Sequence, residues 1–290
     1  MNFRTDLALE RHEMLEKDVV EGVRYETKQK DNATITLVEV LNDIGEKEVR
    51  KPKGKYYTVD VPEFSHETEL LDGRLKALTE VITDMLPKGE KSVLVVGIGN
   101  DNITPDALGP LCAEQIFSTR HLRNEFASEL RLPEFNSVAS ISTGVIGQTG
   151  IETAEYIKGI VDLINPKTVI AIDALASRRL SRLGKTVQLS NTGISPGAGV
   201  GNNRARIDEN TLGVPVIAIG IPTVVDGKTL VYDLIEDDSN MDNISKEAET
   251  VMVTPRDIDM IIKRASRLLA LSINCALQPH IEPEFLLSLM

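Results

Sequence analysis

Two aspartates, Asp106 and Asp173, stand in the settings that hydrolytic chemistry requires. Asp173 ends the run TVIAI (168–172), so its carboxyl is expected half inside the protein, where a charge is costly unless it is paired or protonated. Asp106 follows Thr104 and Pro105, the cap and first position of an expected helix, where free N–H groups favour the ionised form. One neutral and one ionised carboxyl suit general acid–base hydrolysis. The carboxylate activates a water; the acid hydrogen-bonds the carbonyl oxygen and later supplies a proton. At close range the two would hold one shared proton. Each residue also has a plain structural reading, as a first-turn acid and as a cap on the element after a strand. Asp101 and Asp226 read as turn acids.

Other chemistries find less support. Cys112 and Cys275 are too few and too far apart for a disulfide framework, and no Cys–His cluster has ligand spacing, so neither a metal nor another cofactor is expected. His12, His66, His121 and His280 are scattered along the chain. The stretches GIGN and GAGVGNN lack the Gly-x-Gly-x-x-Gly and Gly-Lys-Ser/Thr signatures of phosphate loops. Gly193, Gly197, Gly199 and Gly201 would instead let the backbone approach an extended peptide laid along a sheet edge; a surface loop is the alternative. A net charge of −12 argues against nucleic acid as a direct partner. Yet no Asp or Glu occurs from 174 to 207, a window holding Arg178, Arg179, Arg182, Lys185, Arg204 and Arg206. That window is either a solvated basic face or a place for an acidic ligand. No apolar run is long enough to span a bilayer and MNFRTDLALERHE lacks the pattern of a signal peptide, so no membrane association and a cytoplasmic location are expected.

The elements that must position these residues alternate along the 290-residue chain. Continuous apolar runs at 92–99, 168–175 and 214–225 predict strands covered on both faces, with a shorter strand at 137–142. Between them lie expected helices: one after Ser65 bearing Leu71, Leu75, Leu78, Ile82 and Met85, one opening at Thr104, one over 151–164, and a last one opened by a capping box at Thr254-Pro255-Arg256-Asp257. ATITLVEVL (33–41), NDIGE and YYTVDVP (56–62) predict strand, turn and strand. The fold class is therefore α/β: an open, mostly parallel twisted sheet with helices on both faces and an N-terminal β-hairpin extension over 34–62. Ligands then sit beyond the carboxyl ends of the strands, where Asp106 and Asp173 both fall.

The ordered motifs VGIGNDNITPDALGP, STGVIGQTGIETAEYIKGIV, TVIAIDALASR and GISPGAGVGNNR, together with RTDLALE at the start, resemble the germination protease family of spore-forming Gram-positive bacteria. The resemblance implies a fold similar to that of hydrogenase maturation proteases. It also implies an atypical aspartic endopeptidase without a bound metal, made as a self-processing zymogen. Small acid-soluble spore proteins are its implied substrates, a homotetramer its assembly and the forespore or spore core its location. It places the catalytic pair on Asp106 and Asp173. The family's cleavage pattern is an acid, then a large apolar residue, Ala, any residue and Glu. Asp6-Leu7-Ala8-Leu9-Glu10 resembles it, so Asp6 and Leu7 flank the expected self-processing bond, with 1–6 as propeptide and 7–290 as one protease domain whose catalytic core is 92–275. Arg178 and Arg179 are expected to pair with substrate glutamates, with Gly197, Gly199 and Asn202 also binding substrate. Glu125-Phe126-Ala127-Ser128-Glu129 fits the same pattern but is expected to escape cleavage, because it is placed at or just after a helix rather than in an extended strand. The terminal FLLSLM is expected to dock on the core or on a neighbouring subunit. A processing peptidase of the hydrogenase-maturation type and a non-catalytic peptide-binding module are the alternatives; that no histidine follows a buried strand counts against the first.

Overall fold

The computed structural model describes residues 5–16, 19–64, 66, 69–89, 92–122, 135–198, 204–235, 248 and 250–290. Strands β4 (Ser92–Gly97), β6 (Thr168–Ala176) and β8 (Val216–Asp226) form its centre, and their apolar runs are buried almost throughout. They pair in parallel, and β5 (Ser137–Ser142) extends the parallel part beside β4. The other half is antiparallel. The sheet order is β1 (Val23–Lys30), β2 (Ala33–Val40), β3 (Gly54–Asp60), β7 (Thr186–Ser190), β8, β6, β4, β5, with the short β9 (Met252–Val253) also on β8.

The sheet is thus mixed, and the N-terminal strands are not a separate hairpin. Three of them join the central sheet through β7, a strand the sequence pattern left unread. The stretch NDIGE forms no turn either: it opens helix α2 (Asp43–Val49), because Asn42 caps it by accepting Ile44 N and Gly45 N, both at 3.0 Å. Helix α3 (Gly73–Met85) is capped by Asp72, whose side chain accepts Arg74 N at 2.9 Å. Ser65, the expected cap, lies outside the described residues.

The two faces of the sheet are covered differently. Ile170, Ile172, Leu189 and Ile219 meet α3, α4 (Leu108–Ala113) and α9 (Ile258–Leu277) in the larger core. Thr254 forms no capping box for α9; its hydroxyl donates to Thr223 O at 2.8 Å. The last helix, α10 (Pro283–Ser288), buries Leu286 against this same core, so the tail docks on its own chain. On the opposite face, the short α5 (Ile146–Thr149) follows β5, and α6 (Thr153–Ile164) and α7 (Glu209–Leu212) flank Val96, Val169, Ala171 and Val216. Farther along that face α1 (Ala8–Glu13) covers Val38, Val40 and Tyr56.

Between those two coverings one transverse row of the sheet is polar or small. Register pairs Thr36 with Thr58, Thr58 with Gln188, Gln188 with Gly220 and Gly220 with Asp173. Paired residues point to the same face. The next row on this face, Thr34, Asp60 and Thr186, is polar as well.

Candidate active site

Asp106 reaches the site through a backbone that only small residues allow. The expected helix from Thr104 is broken: Thr104–Asp106 is a single 3-10 turn, and α4 begins two residues later. Gly99, at φ +126, passes so near this turn that a Cβ there would lie 2.1 Å from Asp106 O. Gly109 lets α4 meet the ends of β4 and β6; its Cβ would fall 2.3 Å from Ile98 O and 2.5 Å from Ile172 O. Pinned this way, Asp106 accepts Asn100 N through Oδ2 at 2.8 Å. Burial raises its pKa, and that hydrogen bond opposes the rise.

Asp173 is the more deeply placed of the two. It is 5% exposed in the middle of the sheet, and its Oδ1 accepts Ala174 N at 2.9 Å. Burial pushes its pKa well above the usual carboxylate value, and the charges of Asp106 and then Asp6 push further in the same direction. Of the two, Asp173 has the surroundings that more strongly favour the neutral carboxyl, while Asp106 is half-buried and bonded to an amide that favours its ionised form. Both line one cavity of about 460 Å³, shared with Asp6, Pro196, Gly197 and Arg204. A second cavity of about 220 Å³ adjoins it, lined by Lys51, Gln188, Gly220 and Arg206, and Asp6 lines both.

The N-terminal segment lies across this seam. Asp6 N donates to Ala176 O, and Ala176 N donates to Asp6 Oδ2, each at 2.9 Å. Asp6 O accepts Lys51 Nζ at 2.8 Å and Gln188 Nε2 at 3.0 Å. Leu7 and Ala8 are fully buried, and Ala8 N donates to Gln188 Oε1 at 2.8 Å. The segment is extended only through Leu7; α1 begins at Ala8. One helical turn later Glu10, 1% exposed, accepts Arg178 N at 2.7 Å and Arg179 N at 3.0 Å, with Thr5 Oγ1 as a further donor. The guanidinium of Arg182 lies 3.5 Å from Glu10 and donates to Glu13 at 2.6 Å.

Most residues singled out by sequence meet here. Asp106, Asp173, Asp6 and Gly197 line the same cavity, and Leu7 stands beside it. Arg178 and Arg179 do hold an acid, but through their backbone amides; the nearest guanidinium is that of Arg182. Gly199, Asn202 and residues 125–129 lie outside the described residues. Asp226 accepts Thr229 N at 2.9 Å and opens α8 (Gly227–Ile235), and Asp101 is exposed beside Asn102 and Gln148, so both remain turn acids. Sequence reasoning passed over Lys51, Arg182 as the acid's partner, and Gln188; the alternation of Val187 and Leu189 around Gln188 in TVQLS was the one available signal. Among the described residues no group of three His, Cys, Asp or Glu could hold a metal ion, and no helix is long and apolar enough to cross a membrane. Cys112 and Cys275 are both buried with free thiols.

Comparison with known proteins gives this geometry a context. A family model described as germination protease matches residues 4–249. A germination protease of Caldanaerobacter subterraneus subsp. tengcongensis is 43% identical, over 96% of this chain and 95% of that protein. One from Clostridium tetani is 41% identical over 98% of each. One from Bacillus mycoides is 41% identical over 80% of this chain and 66% of its own. Among solved structures, the [NiFe] hydrogenase maturation protease HycI of Thermococcus kodakarensis matches with a TM-score of 0.38 and 16% identity, covering 67% of this chain and 98% of that one.

Proposed function

Because the chain belongs to the germination protease family, we propose that it is an aspartic-type endopeptidase that cuts its own chain between Asp6 and Leu7 and then cuts protein substrates of the same pattern. The observation that carries this reading is the placement of Asp6 where the cavity lined by Asp106 and Asp173 meets the one lined by Lys51 and Gln188, with Gln188 bonded on both sides of Leu7. The Asp106 carboxylate takes a proton from water, and the hydroxide adds to the Asp6 carbonyl carbon. Asp173 gives its proton to the Leu7 nitrogen as the C–N bond breaks, leaving a carboxyl on Asp6 and an amine on Leu7. Exchange with solvent returns the proton from Asp106 to Asp173.

Specificity in this scheme comes from three places. Ala176 N meets the acid before the bond, a buried pocket takes the apolar residue after it, and the amides of Arg178 and Arg179 with Arg182 take the glutamate one helical turn on. Acids flanking an apolar pair suit small acid-soluble proteins of the spore core as substrates, and self-cleavage makes the full chain a zymogen. The homotetramer belongs to the same reading and is tested by sedimentation.

The decisive experiment follows the mass of the purified full chain over time, together with peptides containing EFASE or EFASQ, with and without chelator. Loss of residues 1–6 and cleavage after the first Glu of EFASE, faster than for EFASQ and abolished by Asp106→Asn or Asp173→Asn, supports the reading. Neither self-cleavage nor peptide cleavage would leave a peptide-binding module.

A further inference from the structure

We propose that Lys51 and Gln188 form the pair that holds the oxyanion when the bond after Asp6 is cut; this rests on the reading of Asp6–Leu7 as the scissile bond. Sequence logic assigned the carbonyl oxygen to a protonated aspartate. The geometry gives that oxygen two other donors, Lys51 Nζ at 2.8 Å and Gln188 Nε2 at 3.0 Å. Both distances lie in the range at which donors stabilise a developing alkoxide. Asp173 is then free to serve the leaving nitrogen.

Position supports the assignment. Gln188 and Asp173 occupy the same row of the sheet, separated only by Gly220, so their Cα atoms lie roughly 10 Å apart on one face. Gly220 itself carries no side chain; the space above it holds Leu175, which lines both cavities between Gln188 and Asp173. Gln188 grips both sides of Leu7: its Nε2 donates to the carbonyl before it, and its Oε1 accepts the amide after it. Lys51 is aimed by α2. That helix stops on Arg50 in the left-handed conformation, at φ 55 and ψ 40, and the next residue turns into the cavity. A non-glycine residue held there is uncommon and persists where the surroundings enforce it.

During the reaction the carbonyl π pair moves onto the oxygen as hydroxide adds to carbon. Lys51 and Gln188 donate to the resulting anion. The pair returns to reform C=O when the C–N bond breaks, and neither residue gains or loses a proton. Lys51 must stay charged to do this. Burial lowers its pKa, the charge of Asp6 raises it, and Arg11 and Arg206 lower it again. Loss of the Lys51 proton therefore weakens the hold on the oxyanion, and loss of the Asp173 proton removes the acid for the leaving nitrogen, so both act on the alkaline side.

The test is the first-order rate of Asp6–Leu7 cleavage in the full chain, followed by mass across a pH series. Lys51→Met should slow it by about 10²–10³. Lys51→Arg should recover most of the rate at every pH where Asp173 keeps its proton, because a guanidinium stays charged and donates, whereas the isosteric but neutral Lys51→Met should not. Gln188→Glu, which keeps the acceptor for Ala8 N but loses the donor, should also be slowed by about 10². Lys51→Met in an Asp6→Asn chain should lose the same factor, whereas a lysine that reads the acidic side chain would lose none. Rates within threefold of wild type for both Lys51→Met and Gln188→Glu, in a chain whose cleavage still depends on Asp173, would overturn the pair and leave the protease reading intact. A wild-type chain that never releases residues 1–6 overturns both.

Discussion

Glu10→Gln tests the acid pocket that anchors the N-terminal segment. Glu10 is buried and receives two backbone amides, the Thr5 hydroxyl and the nearby Arg182 guanidinium. A hydrogen bond to a charged group contributes about 1.5–3 kcal/mol, and a buried amide left unpaired costs about 1–3 kcal/mol. Glutamine keeps one oxygen but turns an NH₂ toward one of the two amides and removes the charge facing Arg182. The net loss is about 2–4 kcal/mol. At 1.4 kcal/mol per factor of ten, docking of the segment weakens by roughly 30- to 1000-fold. Amide hydrogen exchange reads this directly, since Ala8 N is protected only while it is bonded to Gln188 Oε1. The measurement belongs in an Asp173→Asn background, where cleavage is absent and the chain stays whole. Protection at Ala8 should fall by that factor, with little change at Val95 in the central strand β4. Protection at Ala8 within threefold of the parent would show that Glu10 does not hold the segment, and the account of glutamate recognition would fall with it.

Three further outcomes follow from the site. Asp173→Asn should raise the melting temperature near neutral pH while abolishing cleavage: above the raised pKa of Asp173 its buried charge penalises only the folded state, and that penalty fades as pH falls toward the ordinary value of 3.8. A melting-temperature series over pH should therefore show the variant's advantage closing on acidification; an advantage that grows on acidification would contradict the assignment. Gly109→Ala should destabilise by about 1–3 kcal/mol in denaturant melts and lower cleavage more than the stability loss explains, because the new Cβ meets the carbonyls of Ile98 and Ile172 and displaces the turn bearing Asp106. Thiol reagents at neutral pH should neither modify nor inhibit the folded protein, since burial pushes both thiols up, Cys275 to about 11; rapid labelling with loss of cleavage would point to a cysteine nucleophile instead.

Local sequence determined what depends on neighbours in the chain. The runs at 92–97, 168–176 and 216–226 are apolar on both pleats, so they are strands covered on both faces in any compact fold. Asp106 and Asp173 were legible because each comes after a buried apolar run in the sequence, although β6 continues past Asp173 to Ala176. The spacing of Asp6, Leu7, Ala8 and Glu10 was also legible, and one helical turn brings Glu10 to the amides. The NDIGE segment misled because its helix depends on a single cap, Asn42, and on packing of Val49 against the sheet.

Tertiary structure alone decided the rest. Lys51 and Gln188 sit in stretches that the local pattern left unread, and Arg182 in a window that read only as basic. They acquire a role because β7 runs antiparallel between β3 and β8, placing Gln188 in line with Asp173 and carrying α2 and Lys51 to the cavity. Local pattern fixes whether a residue lies in a strand or a helix. Which distant strand lies beside it is set by packing and register over the whole sheet, and those depend on residues far away in the chain.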